Sequence, residues 1–247
     1  MGVTSYFKRE MLKIKEIKAK SIKMWKATEY DIRIEKTIPK YREMQEVIVS
    51  LLPFKKNTSI KVLDLGIGTG NLALKPLQQF PKAKITGVDK DEEMLKIAFK
   101  KLKKFSSKIE LIKEDFSDFL PKGKYNAVIS LLSIHHLTDS QKRRLFKKIS
   151  QILKPKGVFV NGDFVVSDSN FINRKSAKIE EEFMKSQGIK EPGLLTLISS
   201  RGKICAEDDI PTTVENQIKW LKQVGFNEAD CIWKYFNFAI YCGLKKD

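Results

Sequence analysis

Three glycines and an aspartate carry the first chemical signal. In VLDLGIGTGNLAL, Val62 to Leu74, an apolar run gives way to Gly66, Gly68 and Gly70, and Asp64 stands two residues ahead of the first glycine. Glycines so placed allow a tight turn whose backbone N–H groups, with the N-terminus of a following helix, approach a ligand unobstructed by Cβ atoms. A nucleotide-like ligand is implied. The dinucleotide fingerprint G-x-G-x-x-G needs glycine at position 71, where Asn71 stands, so nicotinamide and flavin are disfavoured.

About 20 residues further on, TGVDKDEEML places Asp89 at the tip of the next predicted strand, where a carboxylate can accept hydrogen bonds from two vicinal ribose hydroxyls. At the tip of a third strand, KEDF offers Asp115 as an acceptor for an exocyclic amine and Phe116 as a stacking surface for a purine. No lysine follows the glycines as in a phosphate-binding loop. Together these groups describe adenosine with an extension other than phosphate. Asp91, Glu92 and Glu93 read as helix N-terminal acids complementing the dipole.

His135 and His136, the only histidines, adjoin the end of a fourth predicted strand. An imidazole of ordinary pKa, about 6.5, suits acceptance of a hydroxyl, thiol or ammonium proton at neutral pH. The competing reading is a loop with one histidine packed and one solvated.

The elements that must position these groups alternate from Ile60 to Asp163. Strands are expected at 60–65, 84–89, 109–113, 126–131 and 157–163, and helices at 71–79, 91–104 and 139–153, the last with Asp139 or Ser140 as N-cap. That is a doubly wound parallel sheet. Two or three helices precede it, the second interrupted by Pro39. Residues 164–211 read as an inserted cap with a helix at 174–186. A helix at 212–224 capped at Gly225 then leads to ADCIWKYFNFAIYCGLK, which reads as two buried strands. One domain is expected: a helical cap at 1–55, a core at 56–163 and 212–247, and the cap insertion between.

Composition narrows the setting. The 247 residues are 42% hydrophobic, enough for a sizeable core, and 47 Lys and Arg against 30 Asp and Glu give +17. Only seven of the 47 are arginine, the residue favoured for bidentate phosphate and guanine contacts, which weakens a nucleic-acid reading. Cys205, Cys231 and Cys242 have neither disulfide-framework nor zinc-type spacing, so a reducing, cytoplasmic setting and no metal are expected. The first 20 residues break every apolar pair with a charge, unlike a signal peptide.

The motif D-x-G-x-G-x-G at Asp64 to Gly70, with Asp89 and with Glu114 and Asp115, resembles that of the class I S-adenosylmethionine-dependent methyltransferases. The resemblance implies a Rossmann-like seven-stranded, mostly parallel sheet with an antiparallel C-terminal hairpin. It also implies S-adenosylmethionine as cofactor and S-adenosylhomocysteine as product. YDIRIEKTIPKY (Tyr30 to Tyr41), SIHHL and WKYFNFAIYCGLK are similar to the branch that contains carboxy-S-adenosylmethionine synthase and related small-molecule methyltransferases. That resemblance spans nearly the whole chain.

Carried over by position, it implies cofactor contacts from Tyr41, Asp64, Gly66, Ile67, Gly68 and Gly70 around the loop. Asp89, Lys90 and Met94, Asp115 and Phe116, and Ser130 and Leu131 follow from the next strand ends. Trp25, Tyr30, Trp220, Trp233 and Tyr235 are candidate substrate-pocket walls, Trp220 standing where the synthase, as aligned, has an arginine for the extra carboxylate. Plain S-adenosylmethionine is therefore expected.

Methyl transfer is an in-line displacement that alignment and water exclusion can catalyse, with a base needed only if the acceptor must lose a proton. SLLSIHHL lacks the N/D-P-P-Y/F element of amino-group DNA methyltransferases and the cysteine of pyrimidine-C5 enzymes. A small-molecule acceptor and no membrane partner are expected. The alternatives are a tRNA or other RNA methyltransferase, with Lys96, Lys100, Lys101, Lys103, Lys104 and Lys108 as phosphate footprint, and a non-catalytic cofactor-binding protein.

Overall fold

The computed structural model describes residues 26–189 and 209–246. Its centre is a seven-stranded sheet built from β1 (Lys61–Leu65), β2 (Lys84–Asp89), β3 (Ile109–Lys113), β4 (Tyr125–Leu131), β5 (Leu153–Phe164), β6 (Phe226–Tyr235) and β7 (Phe238–Lys245). The order is β3-β2-β1-β4-β5-β7-β6, parallel except for β7, which runs antiparallel to both its neighbours. The order reverses direction between β1 and β4. In open α/β sheets ligands bind at that switch point, outside the carboxyl ends of the strands.

The helices are α1 (Ala27–Thr37), α2 (Tyr41–Ser50), α3 (Asn71–Gln79), α4 (Glu92–Lys101), α5 (Asp139–Ile152), α6 (Asn170–Ser186) and α7 (Val214–Gln223). Pro39 sits in the turn between α1 and α2, as its fixed φ and missing N–H require. Asp91 caps α4 by accepting from the N–H groups of Glu93 and Met94. The expected N-cap of α5 is corrected: Thr138, not Asp139 or Ser140, makes a reciprocal capping box with Gln141. The cap helix begins at Asn170, four residues before the expected start, because Ser169 caps it through the Ile172 N–H.

Alternation along the strands separates two apolar layers. Val62, Ile129 and Ile240 face the layer that contains α1, α2 and α3. Leu63, Leu65, Val128 and Phe159 face the layer that contains α5 and α7. The C-terminal hairpin corrects the expectation of two buried strands, since only β7 is buried throughout most of its length. β6 is the sheet edge, with Glu228, Asp230, Ile232 and Lys234 turned to solvent. Among the described residues no helix is long and apolar enough to cross a membrane.

Candidate active site

β1 delivers the chain into the switch-point cleft through three consecutive alternate glycines at positive φ, +70° at Gly66, +54° at Gly68 and +82° at Gly70. At Gly66 the requirement is also steric: a Cβ there would lie 2.1 Å from the Ser133 hydroxyl oxygen. The loop is pinned to β2 by the N–H groups of Gly66 and Ile67, both donating to the Val88 carbonyl. Tyr30, Tyr41, Asp64, Gly66, Ile67, Gly68, Thr69, Asn71, Leu72 and Leu131 line the cleft. The Ile67 side chain packs over Gly87, where a Cβ would stand 2.3 Å from its Cδ1.

Asp64 is the group most out of balance. Its carboxyl is buried at 1% exposure, and Oδ2 has no hydrogen-bond partner. Burial, reinforced by the charge of Asp89, pushes its pKa up to about 8. A buried orphan carboxylate in a cleft is costly unless a ligand supplies a cation or donors. S-adenosylmethionine carries both an ammonium and a sulfonium, so Asp64 fits it.

Asp89 stands at the tip of β2, and its oxygens already accept from Gly68 N–H at 2.8 Å and Asp91 N–H at 2.9 Å. Each carboxylate oxygen keeps a lone pair for a ribose hydroxyl. Burial is the largest influence on its pKa, which lies above the ordinary value despite those bonds. Beyond it, Lys90 is exposed and Met94 lies half-buried in the first turn of α4. Asp115 is exposed, with Oδ1 accepting from Ser117 N–H at 2.9 Å, while Phe116 reaches the glycine loop.

A polar cluster that sequence reasoning missed roofs the loop. Asp31 on α1 accepts from Thr69 Oγ1 at 2.6 Å, Asn71 Nδ2 at 2.9 Å and Lys101 Nζ at 2.6 Å. Asn71 also donates to the Tyr41 hydroxyl at 3.3 Å, and burial pushes that phenol up to about 12. Tyr30, beside Asp31, is held neutral by burial and by the neighbouring Tyr41, Asp89 and Asp31. The signal was present in YDIRIEKTIPKY, where the acid follows the aromatic directly.

Several expected site residues stand elsewhere. Ser130 is fully buried and donates to the Leu65 carbonyl at 2.8 Å, tying β4 to β1, so Leu131 alone of the pair lines the cleft. Trp220 is corrected most sharply: it lies in the apolar layer of α5 and α7, on the other face of the sheet, with the Arg143 guanidinium 4.7 Å from its ring centre. Trp233 donates Nε1–H to Glu43 at 2.8 Å and so fastens α2 to the edge strand, with Tyr235 stacked on it at 6.3 Å. Neither lines the cleft, and Trp25 lies outside the described residues.

His135 cannot serve as a base in this arrangement. It is buried, with Nδ1 at 2.5 Å from Asp163 and Nε2 at 3.4 Å from Asp209. Burial opposes its charge, but the two carboxylates prevail and raise its pKa to about 9. A base must be neutral with an open nitrogen at working pH. His136 is half-exposed, with Nδ1 at 3.0 Å from the same Asp209 oxygen.

An open α/β sheet with a glycine loop and paired acids at its switch point defines a Rossmann-like binder of nucleoside-type ligands. Residues 62–157 match the methyltransferase domain family. The carboxy-S-adenosyl-L-methionine synthase of Nautilia profundicola is 25% identical over 219 residues, 89% of this chain and 92% of that protein. A candidate S-adenosyl-L-methionine-dependent methyltransferase of Methanococcus maripaludis shares the fold with a TM-score of 0.62 at 20% identity, covering 90% of this chain and 92% of that one. Haemonchus contortus phosphoethanolamine N-methyltransferase 2, solved with S-adenosyl-L-methionine, gives 0.63 at 14% identity, covering 90% of this chain and 57% of that one. The domain match, the relatives and the shared fold together support a class I S-adenosylmethionine-dependent methyltransferase. When bound, S-adenosylmethionine would supply an electrophilic methyl group.

Proposed function

We propose that the enzyme methylates a small molecule enclosed between the carboxyl edge of the sheet and the helices that cover it. The observation that carries this reading is the roof: α1 is fastened over the glycine loop by Asp31, and α1 in turn packs against α6. A covered cleft suits a small acceptor better than a polynucleotide. The lysines that offered a phosphate footprint support the same reading. Lys101 is spent on Asp31, Lys96 pairs with Glu92 and Glu93, and Lys108 donates to the Pro81 carbonyl.

Tyr41, Asp64, the loop from Gly66 to Gly70, Asp89, Leu131 and the Asp115–Phe116 pair are the proposed cofactor residues. Catalysis rests on alignment and on the dry, neutral surface that Tyr30 and Tyr41 present, with no side chain committed to proton removal. Incubation with methyl-labelled S-adenosylmethionine and a fractionated small-molecule extract tests this. Label recovered in low-mass products supports the reading, and label recovered only in RNA or protein overturns it.

A second reading, formation of a carboxylated S-adenosylmethionine, is favoured by relatives of that name aligned over 89% of this chain. Trp220 does not weigh against it, because that side chain is remote from the cleft. Mass spectrometry of the ligand released from purified protein separates the two. S-adenosylmethionine or S-adenosylhomocysteine is expected, and a species heavier by one carboxyl group would establish the second reading.

A further inference from the structure

We propose that His135, His136 and Asp209 form a binding site for one divalent transition-metal cation of the zinc class, at the rim of the cofactor cleft. Their ligand atoms all lie within 4.8 Å of one another. The short 3-10 helix Ile134–His136 presents both imidazoles immediately after Ser133, whose hydroxyl reaches the Gly66 carbonyl. Asp209 meets them from the other side of the chain and is anchored by the Ile210 N–H donating to the His135 carbonyl.

The spacing accommodates an ion as readily as it does an ion pair. Metal–nitrogen and metal–oxygen bonds of about 2.0–2.2 Å place neighbouring donors roughly 2.9 Å apart at right angles and roughly 3.4 Å apart at tetrahedral angles. The observed separations from Asp209 Oδ1 are 3.0 Å to His136 Nδ1 and 3.4 Å to His135 Nε2. The donor set, two imidazoles and one carboxylate, suits zinc and its neighbours and not magnesium or calcium, which prefer oxygen.

The second observation lies behind the site. Asp163 is 1% exposed and holds His135 Nδ1 at 2.5 Å, which leaves Nε2 directed at Asp209. A buried carboxylate on the far nitrogen is the arrangement that orients a metal-binding histidine and strengthens it as a ligand. The imidazole rings lie only 4.1 Å apart, close enough for one nitrogen of each to reach a single cation. Access is graded, with side-chain exposures of 10% at His135, 20% at Asp209 and 47% at His136. Three protein ligands leave at least one position for water or for an oxygen or sulfur atom of an acceptor.

The site does not depend on the identity of the acceptor. Chelator-treated protein titrated with zinc chloride in a calorimeter, and with cobalt chloride in a spectrophotometer, tests it without an activity assay. One equivalent per chain is expected, with cobalt d–d bands and no thiolate charge-transfer band. Asp209→Asn and His136→Ala, both at partly exposed positions, should each weaken zinc binding at least about tenfold, and Asp163→Asn about 10- to 100-fold at unchanged stoichiometry. No saturable binding up to about 100 μM metal, or affinity unchanged in both Asp209→Asn and His136→Ala, would overturn the proposal.

Discussion

Asp31 and Thr69 meet at 2.6 Å across 38 residues of chain, carboxylate to hydroxyl, and in doing so join the first described helix to the glycine loop. The same carboxylate takes the Lys101 ammonium, which pulls its pKa below the ordinary value although burial acts the other way. Asp31→Ala should therefore unfasten the roof without removing any loop residue. Calorimetric titration with S-adenosylhomocysteine is expected to show affinity about tenfold weaker, with the melting temperature little changed. Wild-type affinity would show that α1 takes no part in the site.

Asp89→Ala removes the acceptor proposed for both ribose hydroxyls. Loss of charge-assisted bonds typically costs about 1.5–3 kcal/mol, or roughly ten- to a hundredfold in affinity. The variant also frees the Gly68 and Asp91 N–H groups, so Asp89→Asn serves as a milder comparison. Equal affinity of all three proteins for S-adenosylhomocysteine would reject the assignment.

Asp64 makes a prediction in pH. Its carboxyl ionises near 3.8 in the unfolded chain and at about 8 in the fold, so between those values the folded state binds the extra proton. Stability then falls as pH rises across that window and levels off above it. Affinity for the cationic cofactor runs the opposite way, rising with pH toward about 8 as the carboxylate becomes available. Asp64→Asn should raise the melting temperature of the ligand-free protein near pH 8, by about 2–4 °C for each kcal/mol recovered, and abolish tight cofactor binding. Melting curves and titrations between about pH 6 and about pH 9 check both arms, and a pH-independent wild type would contradict them.

The enzyme should not retain tRNA at physiological salt. Its cationic excess is lysine, and several of the clustered lysines are already engaged by acids or carbonyls on the surface. Electrophoretic shifts with total tRNA across a salt series decide the matter. Tight binding that weakens steeply with salt would favour an RNA acceptor.

Much of the core was legible because its signals are local. β2 and β3 fall on their expected residues, since each is a short β-branched run bounded by turn formers, and α3 begins at the residue after the last loop glycine. The cleft was legible where a strand tip dictates direction, as at Asp64 and Asp89. It was not legible where layers decide. Trp220 lies on the buried face of an amphipathic helix, and only tertiary packing sends that face to the side of the sheet away from the cleft. Asp31 was hidden for a related reason, because its partners lie 38 to 70 residues away and no periodicity links them.

The outer position of β6 has a consequence for self-association. A strand at the rim of a sheet offers unpaired backbone groups to any other extended chain and is a template for aggregation. Here the solvent-facing positions alternate through Glu228, Asp230, Ile232 and Lys234, three of them charged, and the register slips between Phe226 and Glu228 and again between Cys231 and Trp233. Charge and irregularity together frustrate in-register growth of the sheet from that side. Among the described residues the sheet thus keeps an open border whose charges and slips disfavour pairing with another strand.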